Sequence, residues 1–276
     1  MIALLGAGCS GNTDQTSRAP GTAASAPATS PSAPPSAPSA APPTATDAPR
    51  PKPGTCHRLT FDEVLSPTAG KPALGCKQTH TAETYAVGTV ANLADGHLLA
   101  VDSRQVQRQV ATTCPNALPD LVGGSLEDLR LSMLRPVWFT PTVEEYDSGS
   151  DWYRCDVVAL AGADRLTRVR GSLAGILETE QGRETYAMCG TAGPDDADFQ
   201  RVPCSDPHSW RALSVIALPE GDYPGRAAVA SAGEDPCRDA AAQVADDPLD
   251  YTWAFEGPDP AQWTAGQTFI RCWTPD

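Results

Sequence analysis

Large apolar side chains are nearly absent from residues 10–53 of this 276-residue chain and gather from residue 54 onward in short runs of two periods. Thr81–Val90 is a run of β-branched and aromatic residues among small ones and predicts a strand. Further on, Asp102 or Ser103 can cap a helix in which Val106, Val110 and Cys114 recur every fourth position, which turns Cys114 toward the core. Ser125-Leu126-Glu127-Asp128 is a capping box with Asp in place of Glu or Gln. It predicts a second helix with Leu126, Leu129 and Met133 on one side, ended by Pro136. Val137–Thr140 then reads as a short strand, Pro141–Glu144 as a helical turn and Asp151–Val158 as a strand.

Arg168–Leu177 and Glu184–Cys189 flank Gln181-Gly182, a pattern that predicts a hairpin. From there the earlier order returns. Cys204-x-x-x-His208 repeats Cys76-x-x-x-His80, and Trp210–Leu218 repeats the strand after it. Tyr223-Pro224-Gly225 turns the chain into an Ala-rich helical region holding Cys237. Tyr251–Phe255 matches Val137–Thr140, Pro260–Trp263 matches Pro141–Glu144, and Phe269–Cys272 matches Trp152–Cys155, with Arg-Cys closing both. Successive cysteines lie 20, 38 and 41 residues apart in the first set and 15, 33 and 35 in the second. The expected fold is α+β: two tandem, sequence-related, disulfide-stapled halves, 54–165 and 166–276, after a tether.

Composition sharpens that picture. Residues 10–53 are Ala, Pro, Ser and Thr with eleven prolines, too few apolar groups to offset chain entropy, so they read as a disordered Pro/Ala/Ser/Thr tether. The net charge is −14; the tether sets Arg18, Arg50 and Lys52 against Asp14 and Asp47, so the remainder carries −15. Such a surface repels phosphate backbones, which excludes nucleic acid as a partner. Eight of the nine cysteines, Cys56, Cys76, Cys114, Cys155, Cys189, Cys204, Cys237 and Cys272, form the repeated series, and no Cys-x-x-Cys occurs, which argues for disulfides over zinc. If each half folds as a unit, three pairing patterns remain. Cys56 and Cys76 sit on neighbouring extended segments, and Cys114 and Cys237 project from helices toward last-strand Cys155 and Cys272. The expected pairs are therefore Cys56–Cys76, Cys114–Cys155, Cys189–Cys204 and Cys237–Cys272.

Cys9 stands apart. Met1–Gly8 is a short apolar and small-residue run ending at Cys9, with the tether directly behind, and this resembles a bacterial lipoprotein signal cleaved before a lipidated cysteine. Gly6 stands where the usual lipobox has Leu, and no basic segment precedes it, so the expected start codon lies upstream. No stretch approaches the ~18 apolar residues of a membrane-spanning helix, so the expected membrane contact is through the lipid alone.

Val202-Pro203-Cys204-Ser205-Asp206-Pro207-His208, Tyr223-Pro224-Gly225 before Cys237, and Trp263-x-x-Gly266 before Arg271-Cys272 resemble the septum formation domain of bacterial secreted and lipid-anchored proteins. Gly171-Ser172-Leu173-Ala174-Gly175 looks like a further motif of that family. The resemblance covers residues 54–276 and departs in the first half, where Thr79 stands in the place of Pro207. It implies a link to cell division, with envelope or division proteins as partners, and no known chemistry or cofactor.

The chemistry-bearing candidates are His80 and His208, placed alike before a strand. Each can serve as an acid, base or ligand anchor near neutral pH, or satisfy backbone groups at a turn beside a disulfide. His57 and His97 complete the set of four. The Gly-x-Ser-x-Gly, His-Glu-x-x-His, Ser-x-x-Lys and P-loop patterns are missing, and the runs Asp195-Asp196-x-Asp198 and Asp246-Asp247 miss the EF-hand spacing, so no catalytic or metal residue is assigned. Trp138, Trp152, Tyr153, Trp210, Trp253, Trp263 and Trp273 are candidate contact aromatics, or core beside the disulfides. The expected function is a lipid-anchored extracytoplasmic binding or scaffold protein rather than an enzyme. The alternative is an envelope hydrolase or small-ligand sensor using His80 or His208.

Overall fold

The computed structural model describes residues 49–276. Cys9 and most of the expected tether therefore lie outside the described residues. Within them, β1 (Cys56–His57), β2 (Ala82–Thr89), β5 (Leu134–Phe139) and β6 (Trp152–Ala159) form one sheet in the order β1-β2-β6-β5. A second sheet runs β10-β11-β9-β7-β8, with β7 (Met188–Gly190), β8 (Arg201–Pro203), β9 (Trp210–Ala217), β10 (Ala254–Glu256) and β11 (Phe269–Pro275). Every pair is antiparallel. A small hairpin of β3 (Leu93–Ala94) and β4 (His97–Leu98) turns at Asp95-Gly96, both at positive φ, and carries His97 at the surface.

A 19-residue helix packs on each sheet: α2 (Arg104–Val122) on the first and α6 (Arg226–Val244) on the second. Ser103 caps α2 by accepting from Val106 N–H, and Val106, Val110, Cys114, Leu118 and Val122 are its buried stripe. On β6 the odd positions Cys155, Val157 and Ala159 face this stripe, whereas Trp152, Arg154, Asp156 and Val158 face the other side. Val229, Gly233, Cys237 and Ala241 form the buried stripe of α6. The disulfides are Cys56–Cys76, Cys114–Cys155, Cys189–Cys204 and Cys237–Cys272, with Cα–Cα separations of 4.9–5.3 Å. The second and fourth staple a helix to the last strand of its sheet.

Short helices complete the body: α1 (Phe61–Val64), α3 (Leu126–Arg130), α4 (Val143–Asp147), α5 (Glu180–Thr185) and α7 (Pro260–Thr264). Thr60, Ser125, Thr142 and Asp259 each close a full capping box.

Two expectations are corrected. The helix from Ser125 stops at Arg130, because Met133 N–H donates to Tyr186 C=O and draws the chain into β5. Pro136 therefore sits in a strand, where β5 is an edge and needs no further donor. The hairpin across Gln181-Gly182 is replaced by a 3-10 turn (Ile176–Glu178) and α5, capped by Thr179, which accepts from Gly182 N–H. Gly182 is buried against the Ile176 carbonyl, where any Cβ would overlap it, so this glycine allows a close approach rather than a turn.

Residues 166–177 lie along the first sheet. Val169 bridges to His80 in both directions, and Val169, Leu173 and Leu177 join a core with Leu118, Val122, Leu134 and Val157. Met133, Met188, Ala212 and Trp273 form another core where the second sheet meets the segment around Met133.

Candidate functional site

His80 and His208 take the same local geometry. Each Nδ1 faces the carbonyl two residues back, Gln78 at 2.8 Å and Asp206 at 2.7 Å. The turn made by Cys-x-x-x-His is thus closed by its own imidazole. Beyond the turn the two differ. His208 Nε2 meets Asp276 Oδ2 at 3.1 Å, whereas His80 is buried and its Nε2 has no partner. Two His/Cys/carboxylate groups cluster among the described residues, Cys56-His80-Glu83 and Cys189-His208-Asp276. Both cysteines are spent in disulfides, so neither group offers a thiolate to a metal.

The Gly171–Gly175 motif has a physical task. Buried Glu83 on β2 accepts from Ser172 Oγ and Leu173 N–H, both at 2.6 Å. Gly171 N–H donates to Cys76 C=O and Gly175 N–H to Leu121 C=O. The motif clamps the connecting segment onto the first sheet.

The polar groups that the sequence reading missed lie on the face of β6 turned away from α2. Arg154 and Asp156 are 3% and 0% exposed and pair Nε to Oδ1 at 3.1 Å. Thr84 Oγ1 donates to Asp156 Oδ1 at 2.7 Å, and His57 Nε2 lies 3.2 Å from the same hydroxyl. With the hydroxyl proton given to Asp156, Thr84 Oγ1 can accept from His57 Nε2–H; His57 Nδ1 lies 3.3 Å from the Lys71 carbonyl, and a neutral imidazole donates to one of the two. Burial pushes the Asp156 carboxyl up to about 6, against the pull of Arg154 and Thr84. Burial, aided by the Arg154 charge, pushes the His57 imidazole down to about 4. Arg154 also lies 4.7 Å over the Phe139 ring.

Above this chain is a cavity of about 410 Å³. It is lined by Arg50, Lys52, His57, Lys71, Trp152 and Arg154, with Glu145 and loop residues 69–73 closing it. None of the contact aromatics named from sequence is exposed: Trp152 and Trp273 are core and the other five are half-buried.

The equivalent face of β11 is covered. Arg130 and Arg271 flank the Phe269 ring at 4.4 and 4.8 Å, Arg271 Nε donates to Arg130 C=O at 3.0 Å, and Arg201 and Arg271 both pair with Glu256.

These features define a disulfide-stapled α+β protein of an oxidising, extracytoplasmic compartment. A family model described as septum formation matches residues 53–272. The chain belongs to the septum formation family. No curated protein and no solved structure matches it.

Proposed function

We propose that this chain is a lipid-anchored binding or scaffold protein on the outer face of the cytoplasmic membrane, serving septum formation through contacts with envelope or division proteins. Membership of the septum formation family supports the topic. The observation that favours the binding role over catalysis is that neither repeated histidine lines the 410 Å³ cavity: His80 is buried, and His208 Nε2 meets Asp276 beside a turn that its own Nδ1 closes. The anchor proposed is acyl chains on Cys9, with residues 10–53 as a tether, and it is supported by the likeness of Met1–Cys9 to a lipoprotein signal; no helix among the described residues is long and apolar enough to cross a membrane.

We also infer that residues 54–165 and 166–276 are tandem copies of one unit. The order strand, disulfide, strand, long helix, strand, short capped helix, strand occurs in both 54–165 and 166–276, and the matching strands take matching places in the two sheets. Duplication of one half accounts for this.

Fractionation of cells producing the protein tests the anchor. The chain partitions with membranes, and Cys9→Ser releases it or stalls its processing. A Ser variant that stays membrane-bound and is processed normally contradicts the proposal.

A further inference from the structure

The disulfides among the described residues are of two kinds. In Cys114–Cys155 and Cys237–Cys272 both cysteines are fully buried. In Cys56–Cys76 and Cys189–Cys204 the first cysteine is fully buried, and the second, which opens the Cys-x-x-x-His motif, is half-buried. Cys76 sits in a turn beside exposed Gly75, Lys77 and Gln78, and its Sγ lies 3.6 Å from the carbonyl of exposed Gly54. A thiolate arriving from solvent therefore meets Cys76 before Cys56, and the buried sulfur is the leaving group.

The surroundings of that leaving sulfur differ between the copies. Cys56 Sγ, a ring nitrogen of His80 and a carboxylate oxygen of Glu83 all lie within 4.8 Å of one another. His80 is 1% exposed; its Nδ1 faces the Gln78 carbonyl at 2.8 Å, and its Nε2 has no partner. Glu83 is already committed to Ser172 Oγ and Leu173 N–H. With the Nδ1 proton given to Gln78, the neutral ring presents Nε2 as an acceptor. A buried acceptor left unpaired is costly, and a closed disulfide has no proton to offer it. Opening the bond supplies one, the Sγ–H of Cys56. Around Cys189 the same cluster forms with His208 and Asp276, but there His208 Nε2 already meets Asp276 Oδ2 at 3.1 Å. Reduction thus gives His80 a missing partner and gives His208 nothing new.

We propose that Cys56–Cys76 is a thiol-exchange site, opened through Cys76 by a dithiol of the extracytoplasmic compartment, with His80 receiving the hydrogen bond of the Cys56 thiol. In the first step the dithiol's thiolate attacks Cys76 Sγ. A bond forms between those two sulfurs, the Cys56–Cys76 bond breaks, and its electron pair stays on Cys56 Sγ, which takes up the proton the attacking thiol lost. The second thiol of the reductant then displaces Cys76 in the same way. The dithiol leaves oxidised to a disulfide, and Cys56 and Cys76 are both reduced to thiols. The assignment is independent of the anchor and of septal location, which fractionation and imaging test separately.

The test equilibrates the oxidised full chain carrying Cys9→Ser in buffers of reduced and oxidised dithiothreitol, then quenches with acid, alkylates and maps each pair by peptide mass. Cys56–Cys76 should open first, at a reduced-to-oxidised ratio about tenfold lower than Cys189–Cys204 requires. Tenfold is the worth of about one hydrogen bond, and about 30 mV for this two-electron couple. With glutathione in excess, the trapped adduct should sit on Cys76, with Cys56 alkylated. His80→Asn keeps a donor for the Gln78 carbonyl and removes the Nε2 acceptor, and should bring the two midpoints together. His208→Asn should leave the Cys56–Cys76 midpoint where it is. If His80→Asn fails to fold, the wild-type order of opening and the site of the adduct decide. Opening of Cys56–Cys76 together with or after Cys189–Cys204, glutathione on Cys56, or an unmoved midpoint in His80→Asn overturns the assignment.

Discussion

Replacing His57 by Gln should make the protein gain stability on acidification relative to wild type. The reasoning starts from a buried chain in which two titrating groups share Thr84 and are pushed in opposite directions. His57 falls from 6.5 to about 4, and Asp156 rises from 3.8 to about 6. Between pH 6.5 and 4 the unfolded chain binds a proton at His57 more readily than the folded one, so His57 lowers stability as pH falls. Between pH 6 and 4 the folded chain binds a proton at Asp156 more readily than the unfolded one, so Asp156 raises stability as pH falls. Each shift is worth about 2–3 kcal/mol over the window. In the wild type the two nearly cancel. Glutamine keeps a donor toward Thr84 Oγ1 and cannot titrate. Urea unfolding of the oxidised protein at pH 7 and pH 4 should show His57→Gln gaining about 2–3 kcal/mol relative to wild type between the two. Asp156→Asn should change with the opposite sign, on top of the overall loss from leaving Arg154 unpaired. Titrations of other carboxylates are common to all three proteins and drop out of the comparison. Parallel pH profiles for wild type and His57→Gln would refute the buried-chain reasoning.

Further expectations follow from the same structure. His208→Ala should cost about 1–2 kcal/mol of thermal stability by removing the contacts to the Asp206 carbonyl and Asp276, and leave partner binding intact in the folded fraction; lost binding at unchanged stability would revive the ligand-site reading. Glu83→Gln should cost about 2–3 kcal/mol, because two hydrogen bonds to a buried carboxylate hold Ser172 and Leu173; an unchanged denaturation midpoint would remove the clamp from the account. Opening the Cys237–Cys272 bond by a double Ala variant should cost about 4 kcal/mol on the chain-entropy model for a separation of 35 residues, read by denaturant unfolding; a loss below ~1 kcal/mol would contradict it.

The sheets and disulfides were legible because the cysteine series repeats and because α2 announces its buried stripe at every fourth residue. What the sequence hid depended on distant partners. Gln181-Gly182 has the composition of a turn, and only the approach of the Ile176 carbonyl explains why a glycine stands inside α5. Met133 looked like a helix position until the Tyr186 carbonyl, more than fifty residues away, paired with it. His80 and His208 were found from their motif, and the shared Nδ1 contact is local enough to be read from it. From sequence, Arg154 and Asp156 read only as strand residues. Their signal was present, since two charges two positions apart on an otherwise apolar strand share one face. Their partner Thr84 is set by the β2–β6 register, 72 residues away.

The central claim, an extracytoplasmic binding protein of the division site, is met most directly by imaging. The full protein, tagged at its C-terminus and produced from its own locus, should be followed through the division cycle of living cells. The account predicts enrichment at midcell as constriction begins, lost when Cys9→Ser frees the chain from the membrane. A uniform envelope signal throughout constriction would contradict it.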